Sequence, residues 1–180
     1  FVLRTIRKMV PKYSLPNAVN FKDAINIGAK HKFKEQKIDK EDIAFLQYTG
    51  GTTGGVKAAI LSHRNVLANA IQVREWLGEN LKFGEDLAIC ALPLYHIFAL
   101  TCNSVVYFYF GANNILITNP RDIPGFIKIL KKYKFTFISG VNTLFNKLLE
   151  DKNFKDCDFS KLNITIAGGM PVQKLSLIHI

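Results

Sequence analysis

The densest chemistry in this chain lies in nine consecutive residues, Thr49-Gly50-Gly51-Thr52-Thr53-Gly54-Gly55-Val56-Lys57. Four glycines let the backbone approach a ligand closely and turn successive N–H groups inward. Three threonine hydroxyls can donate to oxygen atoms, and Lys57 adds a positive charge. Together they suit a polyphosphate. The loop lacks the Gly-Lys-Ser/Thr ending of a Walker A loop, and its glycines miss the spacing of the dinucleotide fingerprint. A linker or hairpin loop without a ligand fits less well, because linkers favour serine and rarely end in a lysine beside a strand. His96 stands three residues beyond Pro93, at the end of an apolar run, where an imidazole either caps a core helix or serves a site. A second glycine turn, Gly168-Gly169-Met170-Pro171, follows the last apolar run. Cys90, Cys102 and Cys157 have no His/Asn arrangement that makes a nucleophile, and they read as packing residues.

Such loops need elements to hold them. Apolar runs at Ile43–Tyr48 and Ala58–Leu61 flank the Thr49–Lys57 loop. Ser62 is an N-cap for a helix through Leu77 with a stripe of Val66, Ala70, Val73 and Leu77. Leu87–Leu92 reads as a buried strand, Ile97–Phe110 as a buried helix ended by Gly111, and Ile115–Thr118 as a strand. Ile123, Phe126, Ile127, Leu130 and Tyr133 have helical spacing. Phe135–Ser139 and Asn163–Ala167 are strands around a helix carrying Val141, Leu144, Phe145, Leu148 and Leu149. Strand and helix alternate, which argues an α/β fold with a mostly parallel sheet flanked by helices. Ligands of such sheets bind beyond the carboxyl ends of the strands, so the loops after Tyr48, Leu92, Ser139 and Ala167 are the places for chemistry.

Composition narrows the classes. With 180 residues, 48% hydrophobic and 21% charged, the chain can bury a core and is not disordered as a whole. Three cysteines are too few for a disulfide or zinc framework and suit a reduced, cytoplasmic setting. Residues 1–40 hold ten Lys/Arg and three Asp/Glu, so +7 of the net +10 lies there. That segment reads as a solvated helical face or as one attracted to an anionic membrane or polyanion. No zinc-finger, RNA-recognition or helix-turn-helix pattern points to nucleic acid. The uncharged stretch between Asp86 and Arg121 suggests a membrane span, but Pro93, His96, Asn103 and Ser104 interrupt it. A buried strand, loop and helix explain it better.

Leu46–Lys57 resembles the phosphate-loop signature of the adenylate-forming enzymes, the acyl-CoA synthetases and their relatives. Ile60-Leu61-Ser62-His63-Arg64-Asn65 is similar to the segment that follows it there. Ala91-Leu92-Pro93-Leu94-Tyr95-His96-Ile97-Phe98 resembles their second core motif, and Ala167–Val172 the glycine turn beside their adenine and acyl pockets. Ile117–Asp122 and Gly140–Phe145 look like the bacterial long-chain fatty-acid–CoA ligases. The resemblance runs from about Val10 to Gln173. It implies part of the large N-terminal domain of such an enzyme, and a reaction with fatty acid, ATP and coenzyme A, with Mg2+. By that resemblance Thr49, Gly50, Gly51, Thr52, Thr53, Gly54 and Lys57 hold phosphates, and Gly168, Gly169, Met170 and Pro171 border the nucleotide. His96 lies near the reacting carboxylate and α-phosphate. Leu100 and Gly169 line the acyl path.

Some family parts do not occur in these residues. There is no Tyr-Gly-x-Thr-Glu motif with its magnesium-binding glutamate, no later ribose-binding aspartate and no small domain with its lysine. The expectation is a partial adenylation domain over residues 1–180, with 1–41 a basic helical lead-in and 174–180 a truncated or misread end. Taken alone it should not make acyl-CoA. The alternatives are an enzyme that stops at the acyl-adenylate or loads a carrier protein, and a basic membrane- or polyanion-binding module without catalysis. The sequence leaves the metal ligands and oligomeric state open.

Overall fold

The computed structural model describes residues 2–11, 13–49 and 55–171. The chain divides into two compact units, Phe1–Ile38 and Asp39–Ile180. Among the described residues of the first, regular helix is confined to a short π-helical turn at Val2–Ile6 and to α1, Phe21–Gly28, whose residues are all exposed. The sequence suggested helix more widely across 1–41. Pro11 and Pro16 withhold N–H donors and disfavour helix in the residue before them. Beyond α1, Lys30 and Lys34 would repel one another at helical spacing.

The second unit is built on four parallel strands. They are β3 (Leu87–Cys90), β4 (Asn113–Leu116), β5 (Phe137–Gly140) and β6 (Ile164–Ala167), in the spatial order β4-β3-β5-β6. Before them, β1 (Ile43–Thr49) and β2 (Lys57–Ser62) pair with each other as an antiparallel hairpin forming a separate sheet. The Thr49–Lys57 loop is therefore a hairpin connection and does not follow a strand of the parallel sheet. The reason is length: a parallel crossover needs about a dozen residues or more, and residues 50–56 cannot supply it.

α2 (His63–Leu77) starts as its capping residues dictate. Ser62 Oγ accepts from the Asn65 N–H at 3.3 Å, and Asn65 Oδ1 accepts from the Ser62 N–H at 3.0 Å. The helix after β3 is one continuous rod of three pieces: α3 (Ile97–Ala99), a π-helical segment (Leu100–Val106) and α4 (Tyr107–Tyr109). Gly111 ends it with φ +63°, a conformation that favours glycine. α5 (Ile123–Lys132) and α6 (Asn142–Glu150) make the other two crossovers. No helix among the described residues is long and apolar enough to cross a membrane.

Alternation along the strands sends side chains to both faces. Ile89 and Ile138 pack with Phe126, Ile127 and Leu130 of α5 and Leu144, Phe145 and Leu148 of α6. Ala88, Phe137 and Ile164 pack with Ala70 and Leu77 of α2 and with Val106 and Tyr107. The aromatic run after Val106 is only partly core, because Tyr107 is buried while Phe108 and Tyr109 are exposed.

At the amino ends of the strands, Asp86 is 4% exposed and accepts from the Lys82 N–H and from Thr136 Oγ1, each at 2.7 Å. Thr136 Oγ1 in turn accepts from the Leu87 N–H at 3.0 Å, so the carboxylate clamps the start of β3 to the start of β5. Asp86→Ala strands these donors away from water, and the expected loss in the intact protein is about 1–3 kcal/mol, read by urea unfolding. An unchanged midpoint would show that the clamp contributes nothing.

Candidate active site at the carboxyl ends of the strands

The hairpin places Thr49 and Lys57 opposite one another as its last pair. Thr49 Oγ1 donates to the Lys57 carbonyl at 3.3 Å, which ties the neck of the loop, and both side chains are exposed. Lys57 thus stands at the mouth, where a phosphate would meet its ammonium. Gly50, Gly51, Thr52, Thr53 and Gly54 lie outside the described residues. At Gly55 an added Cβ would meet nothing within 4 Å.

His96 is both exposed and a cap. Its N–H donates to the Pro93 carbonyl at 2.9 Å, and its Nδ1 accepts from the Phe98 N–H at 3.2 Å. The ring is thereby fixed at the start of α3, and Nε2 is the nitrogen left for a ligand. One turn on, Leu100 lines a cavity of about 150 Å3 with Leu61, Val66, Ile97 and Val105. His96 is not part of that lining. The two residues share one helix, but this cavity does not bring them together.

The glycine turn packs against the same helix. The Gly168 N–H donates to the Gly140 carbonyl at 3.2 Å, and a Cβ at Gly168 would lie 3.2 Å from the Phe98 ring. Gly169 has φ +77°, with Val141 nearby. Met170 and Pro171 are exposed at the end of the turn. Another cavity of about 290 Å3 opens at this edge, walled by Leu92 and Pro93 after β3, Pro120 and Arg121 after β4, and Val141 after β5. Arg121 and Lys147 bring two cations to it, and neither had a role legible in the sequence. The signals there were that Arg121 follows a predicted strand and falls within Ile117–Asp122, a segment that resembles the bacterial ligases.

Burial pushes all three thiols up, Cys102 to about 11, so none is poised as a nucleophile at neutral pH. Among the described residues no group of three His, Cys, Asp or Glu side chains could hold a metal ion.

A family model described as AMP-binding enzyme matches residues 4–176. The long-chain-fatty-acid–CoA ligase of Escherichia coli O6:H1 is 53% identical over 175 residues, which cover 97% of this chain and 31% of that protein. The protein of the same name from Haemophilus influenzae is 51% identical over 178 residues, with the same coverage. The chain thus spans 31% of the length of these relatives. Among solved structures, the N-terminal domain of FACL13 from Mycobacterium tuberculosis matches with a TM-score of 0.71 at 20% identity, over 82% of this chain and 36% of that one. That likeness is one of fold: a parallel sheet flanked by helices.

The glycines of the site should respond differently to a methyl group. Gly169→Ala forces an L-residue to φ +77°, at about 1–2 kcal/mol, and Gly168→Ala presses on Phe98. Gly55→Ala meets open space. Urea unfolding of the intact protein should show lower midpoints for the first two and no change for the third. Three equal midpoints would show that the turn is unconstrained.

Proposed function

Because this chain belongs to the family of AMP-binding enzymes, we propose that it supplies the phosphate-binding and acyl-facing part of a long-chain fatty-acid–CoA ligase. One observation carries the reading: sequence identity of 53% over 97% of the chain to proteins of that name. In the proposed reaction a fatty carboxylate oxygen attacks the α-phosphorus of ATP and the bond to pyrophosphate breaks. The thiol of coenzyme A then attacks the acyl carbonyl, loses its proton and expels AMP.

The roles follow the charge. Negative charge grows on the departing pyrophosphate, and Lys57 with the loop N–H groups of residues 50–54 stabilises it. Thr49, Thr52 and Thr53 hold the outer phosphates. His96, fixed through Nδ1, offers Nε2 to the carboxylate and α-phosphate and positions them. Gly168, Gly169, Met170 and Pro171 let the adenylate lie against the end of β6, and Leu100 borders the acyl chain. Magnesium, when bound, would screen the charge of the triphosphate, and of the loop residues a threonine hydroxyl (Thr49, Thr52 or Thr53) is the oxygen donor suited to it.

Lys57→Ala in the full-length enzyme should lower palmitate-dependent ATP–pyrophosphate exchange about 100-fold, the usual scale for losing one stabilising donor. Exchange at the parent rate contradicts the proposal. Acyl-adenylate that accumulates despite added coenzyme A would indicate the acyl-AMP ligase reading.

We also infer contact with an anionic bilayer from the cytoplasmic side. In the first unit Phe21 is 79% and Phe33 91% exposed, beside Lys22 and among Lys32 and Lys34. Co-sedimentation of the full-length enzyme with phosphatidylserine vesicles should fall at high salt and on Lys32→Glu/Lys34→Glu. Equal sedimentation with neutral vesicles would exclude an electrostatic contact.

A further inference from the structure

The longest uncharged stretch of the chain carries a fully buried carboxamide at its middle. Asn103 is 0% exposed, and it sits in the π-helical segment pressed against the sheet. An apolar side chain would bury there without needing partners. Asn103 instead needs them, and it has them. Its Oδ1 accepts from Ser139 Oγ of β5 at 2.8 Å. Its Nδ2 points to Asn114 Oδ1 of β4 at 3.4 Å and to the Ile89 carbonyl of β3 at 3.5 Å. Asn114 Nδ2 returns a bond to the Asn103 carbonyl at 2.8 Å. One residue therefore ties the helix to three strands.

Two paths lead from this node to the site. Along the helix, Leu100 N–H donates to the His96 carbonyl at 2.9 Å, and Leu100 itself lines the cavity beside α2. Along β5, Ser139 is followed by Gly140, whose carbonyl accepts from the Gly168 N–H. The paths meet again where Phe98 lies against Gly168. The ring so formed contains both His96 and the glycine turn. A helix held by apolar contacts alone can slide, since such contacts have no direction. The carboxamide cannot slide without leaving buried partners unpaired. A π-helical segment at this point suits a positioning device, because such departures from α-helix gather at functional sites.

We propose that Asn103 is a positioning residue. Its hydrogen bonds to the buried Ser139 and the half-buried Asn114 fix the register of the Ile97–Tyr109 rod on the sheet, and with it the placement of His96 relative to the Gly168–Gly169 turn. The inference rests on the ligase reading for its consequence in catalysis and on the geometry for its consequence in structure.

The test uses Asn103→Leu and Asn103→Leu/Ser139→Ala in the full-length enzyme, the second removing the hydroxyl that the first leaves unpaired. Three readouts are taken: thermal unfolding, steady-state ATP–pyrophosphate exchange with palmitate, and amide hydrogen exchange over residues 97–101. The expected result is a folded protein whose kcat falls at least about tenfold with KM for ATP unchanged. The amides of 97–101 should exchange faster while those of α5 keep the parent rate. An unchanged kcat together with unchanged exchange at 97–101 overturns the proposal. A parent enzyme with no palmitate-dependent activity would refute the ligase reading, and the amide exchange would still decide the positioning. If Asn103→Leu does not fold, Ser139→Ala deletes a single bond and tests the same register through the same amides.

Discussion

A parallel sheet must be covered on both faces, and here that requirement organises everything from Leu87 onward. β3 and β5 lie in the middle of the sheet, so their side chains meet a helical layer whichever way they point. The crossover from β3 to β4 must return along the sheet, and it brings the Ile97–Tyr109 rod onto one face. α5 and α6 cover the other. Because all four strands run the same way, the segments after Cys90, Leu116, Gly140 and Ala167 emerge at one edge. His96, Arg121, Val141 and Gly168 are gathered there by topology, from positions up to 72 residues apart in sequence, 168 less 96. The opposite edge carries the Asp86–Thr136 clamp. One end of the sheet is clamped, and the other gathers the loops of the candidate site.

Two polar side chains buried in the same rod meet different fates. Asn103 is satisfied, its Nδ2 donating to Asn114 Oδ1 and its Oδ1 accepting from Ser139 Oγ. Tyr107 stacks on Phe137 with ring centroids 4.5 Å apart, and its hydroxyl has no hydrogen-bond partner among the described residues. Burial, with the nearby Asp86 carboxylate adding to it, pushes its phenol well above the ordinary range, so it stays neutral. The tyrosine contributes area and ring contact. The asparagine contributes direction.

The helices were legible because their signals are local. Ser62 announces the start of α2, Gly111 the end of the rod, and the spacing of Phe126, Ile127 and Leu130 the buried face of α5. Strand ends were less so: β4 begins at Asn113, two residues before the apolar run, because Asn113 and Asn114 pair with Leu87 and Ala88. Pairing partners are a non-local property, which is also why the direction of β1 and β2 was missed. At the site, the glycine loop, His96 and the glycine turn stood out by residue type. The Asn103 node did not, since an isolated asparagine in an apolar run reads only as an interruption until the fold brings Ser139 and Asn114 to it.

Acyl-adenylate formation leaves an isotopic record that no other route to a thioester shares. With palmitate labelled by 18O in its carboxylate, the attacking oxygen becomes the bridge to the α-phosphorus and departs with AMP when coenzyme A attacks the carbonyl. Mass spectrometry of the products of the full-length enzyme should show AMP carrying one 18O and unlabelled pyrophosphate. Label in orthophosphate with ADP as the nucleotide product would mean attack on the γ-phosphorus, and would contradict the assignment of this site.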